Sequence, residues 1–512
     1  MRKSWNQWSG AGLVLVGVVL YGCGGDGQSP SESAAAPVMR VEGMVVPQAP
    51  GTAAASQVKT RSVDGLPVPA RIALGALQSG KAELAPILPG PRMVGEARAV
   101  PTAASVDQVQ QQLRWGKTAA GGQMAALSIS AREALGLRLG VLVTSLPESA
   151  VLRVYSQARP GTVFQISGKE VLLHVLRNTR ASGDSAEART WWTPDFGSDE
   201  VTLEIELPAG VATDAVQVAV PMVSHIFAEL DPGASGSVHA KINESDTCNQ
   251  DAVCDSSFAM QSNAVARMLF TAEGKTYACS GTLLNDAKGS GTPYFLSANH
   301  CISTQTAAST LQTDWFYRAS GCNSRALSST TAKLANGATL LYASAETDVS
   351  LMRLNEPAPA GAYFAGWDAS GSALANNAAI VGLHHPAGDM LKISKGQIAG
   401  QTSCAATEGN QIGCVGNTGN FYMVGWDSGT TQGGSSGSAI FSSDGRYVVG
   451  NLYGGSTSCT NRGAMDYYGR FDVSYAQGLK NWLGGQVTPP PSGGGIAALD
   501  NIVRILQSLR SN

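Results

Sequence analysis

The sequence has little charge, few histidines and only a short apolar run near its start. Charged residues make up 14% of the 512 positions and the formal net charge is -3, whereas roughly 25% of residues are charged in an average soluble domain. No basic face or block of like charge is present, so a nucleic-acid partner is not expected. The apolar run, residues 11–22, is too short to span a bilayer comfortably.

Cysteine is almost missing from the first half of the chain. Of the nine cysteines, all but Cys23 lie between residues 248 and 459. No CxxC pair occurs and no set of Cys and His has zinc-finger spacing, so we expect neither a metal site nor a cofactor. Clustered cysteines in an even number indicate disulfides and a location outside the cytoplasm.

The N-terminus has the layout of an export signal. Arg2 and Lys3 precede the apolar run, which predicts a signal peptide over residues 1–22. The segment ending at Cys23 also resembles a bacterial lipoprotein cleavage box, in which the cysteine becomes the lipidated first residue, although Tyr21 departs from the small residue usual there. We therefore expect either secretion or a lipid anchor to the bacterial cell envelope through Cys23.

The chain is too long for a single core, and its composition changes along its length. Residues 23–110 are rich in Ala, Pro, Gly and Ser without a sustained period, which predicts a low-complexity tether. Residues 111–236 contain alternating runs such as VTLEIEL from Val201, which predict a small β-sandwich. Trp191 and Trp192 in this region are expected to pack in a core or against the following domain.

Residues 237–485 contain the remaining cysteines and many turn residues. Short strand-like runs such as YFLSA, VSLMRL, AIVGL and YVVGNLYGG are separated by Gly, Ser, Asn and Thr. This pattern over about 240 residues predicts an all-β domain with two barrels. Residues 486–512 are interpreted as a Pro/Gly linker and a short tail.

Three residues of this region are candidates for chemistry. His300 ends the run YFLSANH, Asp348 precedes VSLMRL, and Ser436 lies in GGSSGSAIF, residues 433–441. A lone histidine, a strand-capping aspartate and a Gly/Ser turn each have an ordinary structural explanation. Small residues are also what a nucleophile on a tight turn needs, because the backbone must approach the substrate closely.

In the order His, Asp, Ser, the segments SANHC, TDVSLMRL and GGSSGSAIF together resemble the triad segments of chymotrypsin-like serine proteases. The resemblance covers about residues 240–485 and implies a double β-barrel catalytic domain. In that family the serine is the nucleophile, the histidine its base and the aspartate the group that orients the imidazole. These roles fall on Ser436, His300 and Asp348, with the N–H groups of Gly434 and Ser436 as the oxyanion hole.

The cysteine spacing resembles that of the lysyl endopeptidases, a bacterial branch of this family. One implied disulfide corresponds to the family's bond between the histidine loop and the preceding hairpin. Two further pairings are implied by the same resemblance. The last pair of cysteines would close a small local loop. In that order, the implied disulfides are Cys279–Cys301, Cys248–Cys459, Cys254–Cys322 and Cys404–Cys414.

Ser435 stands where chymotrypsin-like zymogens have the aspartate that pairs with a new N-terminus. A neutral hydroxyl cannot hold an ammonium group as an ion pair, so we expect a domain that does not depend on N-terminal insertion. The region before about residue 241 is then expected to be a propiece that covers the site or assists folding. Lys241 is the predicted self-processing point.

Asp466 is the residue that implies a preference for a positively charged substrate side chain. Trypsin places its pocket aspartate six residues before the serine, where this chain has Thr430. Lysyl endopeptidases take the acid from a later segment, which MDYYGRF resembles at Asp466, and a carboxylate in a desolvated pocket attracts a cationic side chain at P1, the residue before the scissile bond. A surface-loop aspartate is the structural alternative.

The preference for lysine over arginine depends on a second resemblance. The family's preference is associated with an aromatic and imidazole pair, yet Tyr453 stands in place of the imidazole and no tryptophan can be matched, because the loop with Cys404 and Cys414 replaces that stretch. Lysine is the first expectation and Lys/Arg the second. By analogy, Tyr453 and Gly454 are expected to pair with the substrate backbone.

His384 and His385 in GLHHPAGD would point to opposite faces of a strand, which is poor geometry for one metal ion. The same HHP run is scaffold in lysyl endopeptidases.

The resemblance thus implies a secreted or surface-tethered serine endopeptidase, made as a precursor, monomeric, acting on protein or peptide substrates after lysine. The alternatives are a non-catalytic surface binding protein on a protease scaffold, or an activity limited to esters or to self-cleavage.

Overall fold

The computed structural model describes residues 39–45, 68–77, 90–228, 245–371, 374–406 and 412–484. The predicted lipidation site Cys23, the predicted processing site Lys241 and the C-terminal tail lie outside these ranges. Strands dominate the described chain, which confirms the all-β class. Within these ranges no helix is both long and apolar enough to cross a membrane.

The strands before residue 228 belong mostly to an N-terminal domain, residues 68–228. They are β1 (Arg40–Val41), β2 (Met44–Val45), β3 (Ala70–Leu74), β4 (Arg92–Ala99), β5 (Gly116–Lys117), β6 (Gln123–Ala131), β7 (Gly136–Ser145), β8 (Val151–Ser156), β9 (Arg159–Ser167), β10 (Thr190–Trp192), β11 (Glu200–Leu207) and β12 (Gln217–Ile226).

Two facing sheets make this domain a β-sandwich, as its alternating sequence predicts. One sheet has the order β3-β6-β11-β8-β9, and the other includes β10-β7-β12-β4. Leu127 of β6, Leu203 of β11, Leu139 of β7 and Val218 of β12 meet in one buried core. Trp191 lies in the same core and Trp192 is also buried.

Two helices of the N-terminal domain begin at well-formed caps. They are α1 (Val106–Gln112) and α2 (Gly168–Ser182). In each, a serine side chain accepts the N–H of the third helical residue, whose own side chain accepts the serine N–H. This reciprocal capping satisfies N–H groups that a helix start leaves unpaired. Ser105 and Ser167 therefore define where the two helices begin.

The C-terminal domain, residues 245–484, contains the remaining elements. Its strands are β13 (Gln250–Asp251), β14 (Val265–Ala272), β15 (Lys275–Leu284), β16 (Tyr294–Ala298), β17 (Gln312–Trp315), β18 (Ala332–Leu334), β19 (Ala338–Ser344), β20 (Val349–Leu354), β21 (Tyr363–Phe364), β22 (Gly366–Asp368), β23 (Ala379–His384), β24 (Lys392–Ala406), β25 (Ile412–Val415), β26 (Phe421–Ser428), β27 (Ala439–Ser442), β28 (Tyr447–Gly455) and β29 (Asp466–Arg470). Its short helices are α3 (Ala259–Ser262), α4 (Gln305–Ala308), α5 (Phe471–Ser474) and α6 (Lys480–Leu483).

These strands form two barrels, in agreement with the predicted double-barrel fold. The second barrel has the order β28-β27-β23-β24-β26-β29 and closes because β29 also pairs with β28. The first barrel contains β18-β17-β14-β15-β16-β20-β19 and stays open. The runs YFLSA, VSLMRL, AIVGL and YVVGNLYGG correspond to β16, β20, β23 and β28.

The predicted tether over residues 23–110 differs from the structure. Strands β3 and β4 and most of α1 lie in this range, and β4 pairs with β12 on one side and with β15 on the other. The sheet of the N-terminal domain therefore continues into the first barrel. Pairing with strands far along the chain leaves little mark on local composition, which explains why the sequence pattern misses these elements.

A second part of the predicted tether also adds to the C-terminal domain. β1 pairs with β22 and β2 pairs with β21. Val41 is buried in the C-terminal core, and Arg40 forms an ion pair with Asp368. Residues 39–45 thus act as a short strap across the C-terminal domain.

Arg138 links the two domains through a buried guanidinium group. It is 1% exposed, and it donates from Nε to the Thr193 carbonyl (2.8 Å) and from Nη2 to the Thr310 carbonyl (2.6 Å). Burial lowers its pKa to about 10, which leaves it charged at neutral pH. One cation therefore satisfies carbonyl groups from both domains.

We expect Arg138→Leu to lower the free energy of unfolding by about 3 kcal/mol, because two buried carbonyls lose their charged donor. Arg132→Leu is the control, since the Arg132 side chain is 77% exposed. Urea denaturation followed by fluorescence measures both. Equal midpoints for the two variants would contradict this role of Arg138.

Candidate active site

Strand pairing brings His300 and Asp348 together. His300 follows the end of β16 and Asp348 immediately precedes β20, and these strands are antiparallel neighbours with Ala298 opposite Val349. The end of one strand therefore lies beside the start of the other. His300 Nδ1 lies 2.6 Å from Asp348 Oδ2, and the His300 N–H donates to Asp348 Oδ1 at 2.9 Å.

Neighbouring groups hold both the backbone and the carboxylate of Asp348. Its backbone has a φ of 49°, a left-handed conformation that is uncommon outside glycine. Its carbonyl accepts the Asn299 N–H (3.0 Å) and Asn451 Nδ2 (2.8 Å). Burial raises the pKa of the Asp348 carboxyl, and its charge interaction and hydrogen bonds with His300 oppose that rise. The carboxylate can thus orient one imidazole tautomer.

Ser436 lies on the tight turn before β27, pressed against the first barrel. Its carbonyl accepts the Ser280 N–H at 2.9 Å. Gly437 has a φ of 81°, and a Cβ atom there would lie 2.2 Å from Ser297 Oγ, so only glycine fits. Ser436 Oγ is buried and has no hydrogen-bond partner among the described residues. The structure therefore shows no hydrogen bond between Ser436 Oγ and His300, and no other described group competes for the hydroxyl.

Ser435 belongs to a buried chain of hydrogen bonds. Its Oγ accepts the Gln432 N–H (3.1 Å) and lies 2.9 Å from His384 Nδ1, while His384 Nε2 lies 2.9 Å from Ser394 Oγ. Ser394 donates to the Thr430 carbonyl (3.4 Å), so its oxygen accepts from Nε2–H. His384 Nδ1 then accepts the Ser435 hydroxyl proton. Burial lowers the pKa of His384 to about 3, which keeps the ring neutral.

In this series of hydrogen bonds His384 supports the turn before Ser436, which is more than the scaffold role that the sequence suggests. It ties the residue before the candidate nucleophile to the segment six residues upstream, with neutral groups only. The adjacent His385 ring faces elsewhere, with Nδ1 2.9 Å from the Asp389 carbonyl. The two rings therefore have separate partners, with His384 at the end of β23 and His385 just after it.

Asp466 is fully buried at the start of β29, not in a surface loop. Its Oδ2 accepts three hydrogen bonds of 2.7 Å, from Trp426 Nε1, Thr431 Oγ1 and Thr457 Oγ1. Its Oδ1 accepts only the Thr457 N–H at 3.4 Å. Burial raises the pKa of this carboxyl, and the hydrogen bonds from Thr431, Thr457 and Trp426 oppose the rise.

Asp466 is held by residues of two neighbouring segments. Thr431 lies on the segment that leads to Ser436, and Thr457 lies on the segment that follows Tyr453. Thr430, at the position where trypsin has its acid, is buried and donates to Thr457 Oγ1 at 2.9 Å. The carboxylate is therefore fixed between two segments that frame the candidate nucleophile.

Tyr453 and Phe421 form an aromatic wall beside His300. The Tyr453 ring centroid is 6.0 Å from that of His300 and 5.3 Å from that of Phe421. Tyr453 is among the residues that the sequence resemblance predicts, but Phe421 is not. No local signal separates Phe421 from the other apolar residues of β26. Gly454 follows Tyr453 on β28, the strand expected to pair with substrate.

The structure contains four disulfides, with the pairings that the resemblance implies. They are Cys248–Cys459, Cys254–Cys322, Cys279–Cys301 and Cys404–Cys414. The third joins β15 to the residue after His300, and the fourth joins the paired strands β24 and β25. Disulfides of this number are typical of proteins outside the cytoplasm.

Sequence comparisons agree with this geometry over both domains. The family model described as "Lysyl endopeptidase, C-terminal domain" matches residues 242–469, and the N-terminal domain model of the same family matches residues 66–227. A lysyl endopeptidase of Pseudomonas aeruginosa is 31% identical over 390 residues, which cover 71% of this chain and 76% of that protein. The chain belongs to the lysyl endopeptidase family. It is thus a serine protease of the chymotrypsin-like class.

Other similarities cover less of this chain. A protein named secreted RxLR effector protein 73, from Plasmopara viticola, is 31% identical over 211 residues, 40% of this chain and 48% of its own length. The MamO protease domain from Magnetospirillum magneticum covers 43% of this chain and 98% of its own, at 10% identity and a TM-score of 0.30. The active form of a protease from M. tuberculosis covers 47% and 89%, at 15% identity and a TM-score of 0.30.

We expect His384→Ala to lower the kcat of peptide hydrolysis by about tenfold or more with a smaller change in KM, because the turn that carries Ser435 and Ser436 loses its buried support. His385→Ala is the matched control, since it removes an equally buried neighbouring ring that takes no part in the Ser435–His384–Ser394 hydrogen bonds. Steady-state kinetics on processed enzyme separates the two. A kcat loss no larger in His384→Ala than in His385→Ala would contradict the positioning role.

Proposed function

We propose that this member of the family is the precursor of an endopeptidase that hydrolyses peptide bonds after lysine. Ser436, His300 and Asp348 are proposed as the catalytic triad. The observation that carries the proposal is the short contact of Asp348 with His300 Nδ1, together with a buried Ser436 hydroxyl that has no hydrogen-bond partner among the described residues. Protein or peptide substrates are the proposed partners, together with the chain's own propiece.

In the proposed reaction, Ser436 Oγ attacks the scissile carbonyl carbon and His300 Nε2 takes the hydroxyl proton. The tetrahedral intermediate collapses with loss of the amine, which receives that proton from His300. Water then attacks the acyl-enzyme in the same way, which releases the acid and restores Ser436. Asp348 holds the ring so that Nδ1 carries hydrogen and Nε2 is free to accept.

The N–H groups of Gly434 and Ser436 are proposed to hold the negative oxygen of the intermediate. Loss of one such donor costs about 3 to 4 kcal/mol of transition-state stabilisation in comparable enzymes. Both groups are on the turn that the Ser435–His384 contact supports. Stabilisation of the oxyanion thus depends on a turn whose shape is set before substrate arrives.

Asp466 is proposed as the acid that selects lysine. Three donors occupy Oδ2, so only Oδ1 has capacity left for a substrate cation. A single open oxygen suits the point charge of an ammonium group better than the two-pronged guanidinium, which favours both carboxylate oxygens. A neutral P1 side chain would leave the buried carboxylate without a cation. Lysine is therefore preferred, with Lys/Arg as the broader expectation.

The precursor proposal assigns the region before about residue 241 as a propiece, with self-processing at Lys241. The disulfides place the protein outside the cytoplasm. Residues 1–22 are proposed as the export signal, and Cys23 as the site of a lipid anchor if the protein stays on the bacterial envelope. Support for these points comes from the sequence pattern alone.

We expect a fluorophosphonate probe to label the processed wild-type protein at Ser436 once its propiece has been removed, because a nucleophile activated by His300 attacks phosphorus. Ser436→Ala should show no labelling, and Ser438→Ala should retain it. In-gel fluorescence and mass mapping of the modified peptide give the readout. A folded wild-type protein without label would favour the non-catalytic binding protein.

We expect Asp466→Asn to lower kcat/KM for lysyl substrates by about a hundredfold or more while neutral P1 substrates change little, because the pocket loses its charge. The matched control is Asp427→Asn, an exposed carboxylate on the segment before Thr430. A panel of P1 peptides measures the selectivity. Dominant cleavage after neutral residues in the wild type would show the pocket assignment to be wrong.

A further inference from the structure

The N-terminal domain reaches into the candidate oxyanion hole. The Gly434 N–H, which is proposed to bind the scissile carbonyl, donates to the carbonyl oxygen of Gly90 at 3.3 Å. Gly90 immediately precedes Pro91 and β4. The position of a substrate carbonyl is thus taken by the chain's own backbone.

The residues after Gly90 run along the first barrel as an added strand. Arg92 pairs with Ala278 and Met93 with Tyr277, in antiparallel register. Ala278 is adjacent to Cys279, whose disulfide joins β15 to Cys301 beside His300. The segment that follows the occupied carbonyl therefore leaves along β15, on the side where the leaving group of a substrate would lie.

A buried valine holds this strand in place. Val94 is fully buried in a small cluster that contains Ile226 of β12 and Leu269 and Ala278 of the first barrel. The cluster joins both domains, so β4 is fixed from its two sides. Its start at Arg92 is only two residues from Gly90, which leaves the Gly90 carbonyl little freedom to move away.

From these contacts we propose that residues 90–95 are a built-in, substrate-like inhibitor of the protease, and that β15 is its binding surface for the leaving-group side of substrates. Gly90 occupies the P1 position, Pro91 the first position after the scissile bond and Arg92 the second. The proposal rests on the proposed function of Ser436. It adds how the propiece blocks the site and where an extended peptide binds.

The sequence of this segment explains why it is not cleaved as a substrate. Gly90 has no side chain for the Asp466 pocket. Pro91 carries a ring on the nitrogen that would have to leave, and this nitrogen has no hydrogen. The ring crowds the place where His300 would deliver a proton to the departing amine.

The strand pairing also separates processing from activation. A cut in the linker between residues 228 and 245 breaks no bond between β4 and its neighbours β12 and β15. The strap at residues 39–45 likewise remains paired with β21 and β22. A processed propiece is therefore retained until the segment is displaced or digested.

The first test converts the inhibitor into a substrate in the full chain, with Gly90→Lys combined with Pro91→Ser. A Cβ atom at position 90 meets no heavy atom within 4 Å, although the φ of 133° strains a lysine, so slow cleavage is expected. N-terminal sequencing should find a new terminus at position 91. The first-order rate should not change on dilution, because the bond lies in its own active site.

Three controls accompany this variant. Gly90→Lys with Pro91 retained should be cleaved about tenfold more slowly or not at all. Addition of Ser436→Ala to the double variant should abolish cleavage. Gly161→Lys places a lysine on exposed strand β9, where any cleavage should scale with protein concentration. An uncleaved double variant in protein whose processed form labels with fluorophosphonate would overturn the inference alone, as would a cleavage rate proportional to concentration.

A second measurement is independent of catalysis. In full-length Ser436→Ala protein, hydrogen exchange of the peptide containing residues 276–278 should be slow, and Val94→Ala should accelerate it by about tenfold through loss of strand pairing. Val154→Ala, equally buried in the N-terminal core, is the control and should leave it slow. Fast exchange in the parent overturns the strand placement, whereas absence of fluorophosphonate labelling in protein freed of its propiece overturns only the proposed function.

Discussion

The antiparallel pairing of β16 with β20 is the interaction on which the candidate site depends. It sets Ala298 opposite Val349, so the residues just beyond each strand meet at the barrel edge. A shift by one residue would turn every side chain of one strand to the other face. His300 and Asp348 would then separate, although both would still be present in the sequence. The Cys279–Cys301 bond and the left-handed backbone of Asp348 hold the two loops in that register.

Around this pair, the site is built from buried polar groups that satisfy one another. Ser435, His384 and Ser394 form a neutral chain under the oxyanion loop, and Asp466 has its Oδ2 atom surrounded by donors. Polar groups are costly to bury unless they are hydrogen-bonded, and fully bonded networks are rigid. The same bonds that satisfy burial therefore also leave specific atoms open, Ser436 Oγ and Asp466 Oδ1, where chemistry and recognition are proposed.

The N-terminal domain is structurally continuous with the first barrel. That barrel is open, and β4 pairs with β15, which would otherwise present unpaired backbone groups at an edge. Arg138 and the Val94 cluster add buried contacts across the same boundary. A domain attached in this way can support folding of the barrel and block its cleft through one set of contacts.

Local sequence pattern determined much of this protein. Alternation predicts β11, short strand-like runs predict β16, β20, β23 and β28, and the order of three short motifs selects His300, Asp348 and Ser436 with their implied roles. These features depend on residues close together in the chain, where strand period and turn chemistry are legible. Cysteine number and position likewise indicate the compartment.

The tertiary structure alone decided the rest. β4, which composition assigns to a tether, is a strand because partners more than a hundred residues away pair with it. Phe421 and His384 acquire their places through contacts with Tyr453 and Ser435, and the saturation of Asp466 Oδ2 depends on donors from two segments, residues 426–431 and Thr457. Such contacts join residues distant in sequence, so no local period or composition records them. Folding determines them, because each side chain is positioned by the strand that carries it and by the neighbours it meets.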